Sequence, residues 1–170
     1  VSDGRCDLGI VSIDPYRQLD DGLEERIVWR DELVLVVPPG HPWAELDDVP
    51  VQEFADTSMV QRDPWSNSNR LVTTMIERAG YERVEPTTAI GSTAGVIAIA
   101  MATGAPALLS IMAAKAQPDP QFVVRRVEGL RFGLEFALVW SGAMLDLRPS
   151  VQTVAGHILD LPFARARRAG

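Results

Sequence analysis

Two clusters of polar side chains stand where the sequence predicts that a helix begins. The first is Ser66, Asn67 and Ser68, preceded by the indole of Trp65, and the second is Ser92 and Thr93. Hydroxyl and amide oxygens at such positions accept hydrogen bonds from the first N–H groups of a helix. Those N–H groups, at the positive end of the helix dipole, also bind anionic ligands. The local sequence fits capping alone and capping combined with ligand binding, and both interpretations stay open.

The residues that most often bind metals or act as nucleophiles are too scattered to form a catalytic site. His41 and His157 are the only histidines and Cys6 is the only cysteine, whereas a zinc site needs three or four clustered ligands. Gly91-Ser92 lacks the Gly-x-Ser-x-Gly spacing of a nucleophile elbow, and neither standard glycine-rich phosphate loop is present. We therefore expect no enzyme activity, no metal and no cofactor. His41 is interpreted as a turn residue and His157 as a surface residue.

Strand and helix patterns alternate along the chain, which predicts the α/β class. Short apolar or β-branched runs predict strands at 6–11, 26–38, 57–61, 107–111, 122–127 and 132–140. Helices are predicted at 47–54, from the Ser66 cluster to Gly80, over 92–103 with Gly104 as its stop, and from Pro149 onward. The 92–103 helix is apolar on nearly every side, so we expect it to be buried between layers. On the last helix, the residues expected to face inward are Val151, Val154, Ile158 and Leu161.

Composition limits the compartment and the class of partner. The chain has 170 residues, of which 46% are hydrophobic and 23% charged, so it is expected to fold. Its longest apolar stretches, 33–37 and 94–102, are shorter than the ~20 residues of a membrane helix, and no export signal is visible. A single cysteine fits a reducing compartment, so a cytoplasmic location and no membrane contact are expected.

Charge is distributed unevenly along the chain. The formal net charge is −7, and residues 1–56 hold 14 acidic and 4 basic side chains. An acidic surface repels the phosphate backbone, so nucleic acid is not expected to bind this segment directly.

Five segments occur in an order typical of one family. They are Gly4 to Ile10, Gly22-Leu23 leading to the strand and His-Pro unit of Asp31 to Ala44, Val49 to Phe54, Ile76 to Tyr81, and the apolar helix ending in Gly104. Together they resemble the effector-binding domain of LysR-type transcriptional regulators over nearly the whole chain.

That resemblance implies a two-lobe, periplasmic-binding-protein-like (type 2) fold with two crossover strands. Residues 1–55 and 131–170 would form lobe one, and residues 56–130 would form lobe two. On this template lobe one begins with two further strands and two helices, so it is incomplete here. The winged helix-turn-helix and linker helix that contact DNA in the family are also absent from this sequence.

The resemblance also implies a function and a set of contacts. A small polar or anionic metabolite would bind between the lobes and change their relative orientation. A homodimer or homotetramer would pass that change to the DNA-binding part. The expected ligand contacts are Ser12, Ile13, Arg62, Trp65, Ser66, Asn67, Ser68, Ser92, Thr93 and Ala105. One departure concerns the cleft loop, where Gly104-Ala105-Pro106 and Ser110 replace the family's Gly-x-Gly turn and later proline.

Two other functional classes use the same fold. A solute-binding protein of a transport system would carry an export signal or lipid anchor upstream, whereas a regulator would carry a helix-turn-helix there. An enzyme resembling prephenate dehydratase would show catalytic turnover.

Overall fold

The computed structural model describes residues 1–13, 22–63, 66–86, 88–117 and 121–161, so the predicted contact Trp65 lies outside the described residues. The strands are β1 (Leu8–Ile13), β2 (Leu23–Val37), β3 (Asp48–Val49), β4 (Val60–Gln61), β5 (Thr88–Ala89), β6 (Ala107–Ser110), β7 (Val123–Val127) and β8 (Phe132–Ser141). The helices are α1 (Val51–Asp56), α2 (Asn67–Arg78), α3 (Thr93–Thr103), α4 (Ile111–Lys115) and α5 (Pro149–Asp160), with 3-10 turns at Pro42–Glu45 and Met144–Asp146. Strands and helices are interleaved along the chain, which confirms the predicted α/β class.

The chain divides into two compact units. Unit 1 comprises Val1–Arg30 and Leu134–Gly170, and unit 2 comprises Asp31–Gly133. Both passages of the chain from one unit to the other lie inside strands, the first in β2 and the second in β8. These contact-based units place residues 31–55 in unit 2, and the lobe bounds taken from the resemblance stay a prediction.

Unit 1 is a small sheet covered by one helix. Strand β1 pairs antiparallel with β8, in a register that runs from Leu8 opposite Trp140 to Ile13 opposite Glu135. β8 is in turn a neighbour of β2. Its core consists of Val28, Leu138, Trp140 and Ala155, with Leu8, Met144, Leu147, Ile158 and Leu159 packed against them. Arg30 and Glu135 form an ion pair of 2.6 Å on its surface.

The sheet of unit 2 combines an antiparallel pair, β2 and β6, with parallel strands that continue from β6. Residues Leu33–Val36 of β2 pair antiparallel with β6, β6 pairs parallel with β4, and β4 pairs parallel with β5. Along its other edge β2 pairs antiparallel with β7, which pairs parallel with β3. In the continuous Val and Leu run of β2, apolar residues do not alternate with polar ones. This pattern is typical of a strand that is covered on both faces.

An apolar cluster of unit 2 lies between this sheet and α3. Its buried members are Val34, Val36, Val60, Val96, Ala100, Ala107, Leu109, Ala114 and Phe122. On the opposite side the Phe54 and Phe132 rings pack at 5.6 Å between centroids. Burial of each such aliphatic or aromatic side chain contributes about 1.5–3 kcal/mol to folding.

Helix ends follow the chain's glycines and prolines. α3 ends at Gly104 with φ 73°, a left-handed conformation that side chains with a Cβ rarely adopt, and this confirms the predicted stop. Gly80, with φ 89°, directly follows the last turn of α2. The helix predicted at 47–54 is in fact a short strand, β3, followed by a helix that begins at Val51. Pro50 lies between the two and directly precedes α1.

Two burial predictions are wrong. On α5, Val151 and Ala155 are buried, whereas Val154 is 53% and Leu161 39% exposed. The helix packs on the sheet along an i, i+4 strip, which is narrower than the apolar face of the sequence. α3 is not buried on all sides either, since Ala94 and Ala98 are exposed and only Val96 and Ala100 are fully covered.

Candidate functional site

Three helices of unit 2 begin at the same edge of the sheet. β4, β5 and β6 run parallel, and they are followed by α2, α3 and α4 respectively. Because the carboxyl ends of parallel strands share one edge, the three helix starts line that edge. The N-cap residues are Ser66 of α2, Ser92 of α3 and Ser110 of α4.

Each serine hydroxyl accepts one hydrogen bond from the helix that it caps. Ser66 Oγ accepts from the Asn69 N–H at 3.2 Å, and Ser92 Oγ accepts from the Gly95 N–H at 3.1 Å. These contacts confirm the capping predicted for Ser66 and Ser92. The N–H groups of the first two helical residues remain directed out of each helix end, since no preceding turn accepts them.

The electrostatics of both helix starts favour a negative ligand. Neither α2 nor α3 has an acidic residue in its first turn, so the positive end of each dipole is not offset locally. Ser92 is exposed and Thr93 is half-buried, so the start of α3 is accessible. This arrangement can bind an anion or a hydrogen-bond acceptor, and it offers no nucleophile paired with a base.

The residues around the start of α2 are also accessible. Arg62 is exposed directly after β4, and Asn67 and Ser68 are half-buried in the first turn of α2. Asn67 Oδ1 accepts a hydrogen bond from the Arg70 guanidinium. Arg62 therefore supplies positive charge beside the Ser66 cap.

The predicted contacts are divided between the two units. Ser12 and Ile13 belong to unit 1, where they are half-buried opposite Phe136 and Glu135 of β8. Ala105 belongs to unit 2 but precedes β6, so it lies at the other end of α3 from Ser92. At 1.5 Å per residue that helix separates them by about 16 Å.

A carboxylate that the sequence analysis missed lies beside the third helix start. The Ser110 hydroxyl donates a hydrogen bond to Asp31 and accepts one from the Ala113 N–H at 3.2 Å. Asp31 and Ser110 are 79 residues apart, and only the antiparallel pairing of β2 with β6 brings them together. Ser110 is thus occupied by a structural contact, which distinguishes it from Ser66 and Ser92.

Residues with metal-binding or titrating side chains have structural roles here. Within the described ranges no three His, Cys, Asp or Glu side chains come close enough together to hold a metal ion. His41 accepts the Trp43 backbone N–H at 3.2 Å and caps the turn after β2, and burial lowers its pKa. His157 is exposed on α5, with Nδ1 2.8 Å from the Thr153 carbonyl oxygen. Both placements agree with the sequence analysis.

Among the helices of the described residues, none combines the length and apolar character that crossing a bilayer requires.

Comparison with known proteins identifies related sequences and folds. A family model described as the LysR substrate binding domain matches residues 1–161. An uncharacterized HTH-type transcriptional regulator of Mycobacterium tuberculosis is 29% identical over 163 residues, which are 93% of this chain and 51% of that relative. The chain thus spans about half the length of the curated relatives it matches.

Two solved structures share its fold. The regulatory domain of Synechocystis CcmR, in complex with 2-PG, has a TM-score of 0.76 at 17% identity and covers 93% of this chain and 74% of that one. The effector binding domain of QuiR, in complex with shikimate, has a TM-score of 0.75 at 16% identity and covers 93% and 72%.

Proposed function

Because the chain belongs to the LysR substrate-binding domain family, we propose that it binds a small anionic or polar metabolite at the helix starts of α2 and α3. It has the periplasmic-binding-protein-like type 2 fold of that family. The domain is the regulatory, effector-binding part of a LysR-type protein. The family is one of transcriptional regulators, and the absence of catalysis by this chain is part of the proposal.

One observation carries the choice of ligand chemistry. Two serine-capped helix starts with no acidic residue in their first turns stand on one sheet edge, in a chain whose net charge is −7. An acidic side chain in a first turn stabilises a helix by about 0.3–1 kcal/mol. Its absence from both ends leaves this stabilisation to a ligand. The ligands named for the two neighbours, 2-PG and shikimate, are consistent with a compact polar metabolite.

The remaining parts of the proposal concern the longer protein. Ser12 and Ile13, the segment 62–68 with Trp65, and Ala105 are proposed as further ligand contacts. Ligand binding would alter the orientation of two lobes, residues 1–55 with 131–170 and residues 56–130. The protein would be a cytoplasmic homodimer or homotetramer that contacts DNA through a helix-turn-helix outside this chain. The transport alternative is disfavoured, since the curated relatives are named as transcriptional regulators.

Calorimetric titration with shikimate and 2-PG tests the ligand site. Thr93→Val removes a hydroxyl at the start of α3, and Thr153→Val makes the same change on the exposed face of α5. If the site is correct, Thr93→Val lowers affinity about tenfold, since a hydrogen bond to a charged group contributes about 1.5 kcal/mol, and Thr153→Val leaves affinity unchanged. Equal affinity in both variants would exclude Thr93, and no binding of either compound would refute the proposed ligand class.

Serine 92 needs a variant that separates its two roles. Ser92→Ala loses both the cap and any ligand contact, whereas Ser92→Asn retains a good capping side chain. A ligand contact by the hydroxyl predicts weaker binding in both variants, with loss of thermal stability in Ser92→Ala alone. Weaker binding only in Ser92→Ala would assign the residue to capping.

A further inference from the structure

A second polar cluster in unit 2 contains buried nitrogens without hydrogen-bond partners. Gln61 Nε2 and Arg83 Nε are two such atoms among the described residues, and they belong to side chains in contact. Arg83 Nη2 donates to Gln61 Oε1 at 3.0 Å, and Arg83 Nη1 donates to Asn69 Oδ1 at 2.8 Å. Buried polar groups are nearly always paired, so two unpaired atoms within one cluster require a cause.

Both unpaired atoms are donors. The orientation of the Gln61 amide is fixed by Arg83, because the reverse orientation would set its NH₂ group against the guanidinium, donor facing donor. Gln61 Nε2 and Arg83 Nε therefore each present an N–H group, and the missing partner is an acceptor.

The cluster also carries a positive charge, that of the Arg83 guanidinium. Among the ion pairs formed by described residues, none includes Arg83. Burial lowers the pKa of Arg83 to about 10, opposed by the charge of Glu85, so the guanidinium stays protonated at neutral pH. Its Cζ lies 5.6 Å from the centre of the Phe54 ring, a contact that stabilises the cation without cancelling its charge. A buried cation whose two hydrogen-bond partners are neutral, here Gln61 and Asn69, is stabilised further by an anion.

The cluster lies where β4 ends and α2 begins. Gln61 is the last residue of β4 and is 3% exposed, and Asn69 is in the first turn of α2. Asn69 and Arg83 are half-buried, so the cluster reaches the protein surface at these two side chains, whereas Gln61 Nε2 and Arg83 Nε are themselves buried. An amide N–H and a guanidinium are groups that proteins use to bind carboxylate and phosphate oxygens.

We propose that Gln61, Asn69 and Arg83 form a subsite for a compact oxyanion, a carboxylate or a phosphate. Gln61 Nε2 and Arg83 Nε donate hydrogen bonds to the anion, and Asn69 holds the guanidinium in place. The oxyanion is either a group of the effector or a free inorganic ion. The subsite itself does not depend on the proposed effector function, and only the choice between these two sources rests on it.

Inorganic phosphate is the probe for the first arm of the test. Thermal unfolding of the 170-residue chain is measured with increasing phosphate at constant ionic strength. At a phosphate concentration ten times the dissociation constant, the midpoint is expected to rise by about 3–5 °C. Arg83→Met removes the charge and the Nε donor, and Gln61→Glu provides an internal carboxylate for Arg83. Both variants are expected to lose the shift, and Arg78→Met, which removes an exposed arginine of α2, should keep it.

Gln61→Glu keeps the test informative if Arg83→Met fails to fold. It is expected to unfold at a higher temperature than the wild type without phosphate, because the new carboxylate offsets the charge of Arg83 and replaces the unpaired Nε2 donor. A wild-type shift that persists in Gln61→Glu or in Arg83→Met would place the anion elsewhere and overturn the proposal. Absence of any shift in the wild type would overturn it too, because water would then be the acceptor.

The second arm separates the two sources of the oxyanion. Shikimate and 2-PG are titrated with and without saturating phosphate. Competition assigns the subsite to the effector's own anionic group, and independent binding assigns it to a free ion. If Thr93→Val weakens effector binding while the phosphate shift is intact, the two sites are distinct. If the phosphate shift is absent while effectors bind, the oxyanion subsite fails and the proposed function stands.

Discussion

Replacing Gly95 by alanine tests whether the Ser92 cap and the packing below it hold the start of α3 in place. A Cβ at Gly95 would lie 2.8 Å from Ile90 Cγ2 and 2.9 Å from Ser92 Oγ. Both distances are shorter than carbon contacts allow, so one neighbour must move. Ser92 can rotate only by giving up the hydrogen bond from the Gly95 N–H, and Ile90 packs against the core of unit 2.

The magnitude follows from three opposing contributions. Alanine is favoured over glycine by up to about 1 kcal/mol within a helix. Loss of a serine cap costs about 1 kcal/mol, and a strained rotamer of a β-branched side chain costs about 0.5–1.5 kcal/mol. We therefore expect Gly95→Ala to lower the free energy of unfolding by about 0.5–1.5 kcal/mol, the reverse of the usual effect of this substitution in a helix.

Urea unfolding followed by circular dichroism measures this change. Gly156→Ala in α5 is the matched control, because no heavy atom lies within 4 Å of its added Cβ, and it should stabilise the chain by about 0.5–1 kcal/mol. In a Ser92→Ala background, Gly95→Ala should cost less, since the contact with the hydroxyl is gone. The reasoning is refuted if Gly95→Ala stabilises the chain as much as Gly156→Ala.

Three further predictions concern charge and capping. Burial lowers the pKa of His41 from 6.5, so stability should fall as pH drops through 6.5, and thermal melts of His41→Asn, which can still accept the Trp43 N–H, should lack that fall. The bidentate contact with Arg126, 2.9 Å at each oxygen, lowers the pKa of Glu32 from 4.5. The stabilisation that this contact gives the folded state is therefore present above pH 4.5 and lost as the pH falls through the lower pKa that Glu32 has in the folded state. In urea titrations the free energy of unfolding of Glu32→Gln should therefore fall less steeply at acid pH than that of the wild type. Ser110→Ala should cost about 1–2 kcal/mol, because it removes a helix cap and a bond to a carboxylate; a cost no larger than that of Ser66→Ala would contradict the contribution of the carboxylate.

The helix starts and stops were predictable because they depend on residues adjacent in sequence. Ser66 and Ser92 each bond to an N–H three residues later, so residue type and spacing suffice to identify them. Gly104 adopts the left-handed conformation that the sequence pattern requires of it. The resemblance to the LysR family is confirmed over residues 1–161, since it rests on the order of several such local features.

Features that depend on distant partners were not predictable in the same way. Val154 has the spacing of a buried residue but is 53% exposed, because the width of the strip that α5 covers is set by the sheet beneath it. The contact between Gln61 and Arg83 spans 22 residues. It forms only because β4 is two residues long and α2 then directs the chain back past its end. A glutamine at the end of a short strand gives no sequence signal of such a contact.

The topology of unit 2 explains why the helix starts of the proposed ligand site lie at one edge of its sheet. Two parallel strands need a connection that brings the chain back from the end of one strand to the start of the next. α3 forms this connection between β5 and β6, so its N-terminus, the positive end of its dipole, must lie beside the carboxyl ends of the strands. The same rule places the start of α2 beside Gln61 and gives that edge two dipole ends, Arg62 and the guanidinium of Arg83. The chain as a whole has 23 acidic and 16 basic residues, yet the first turns of α2 and α3 have no acidic side chain. Negative charge is therefore abundant on the chain but absent from the first turns of these two helices, where it would oppose the binding of an anion most directly.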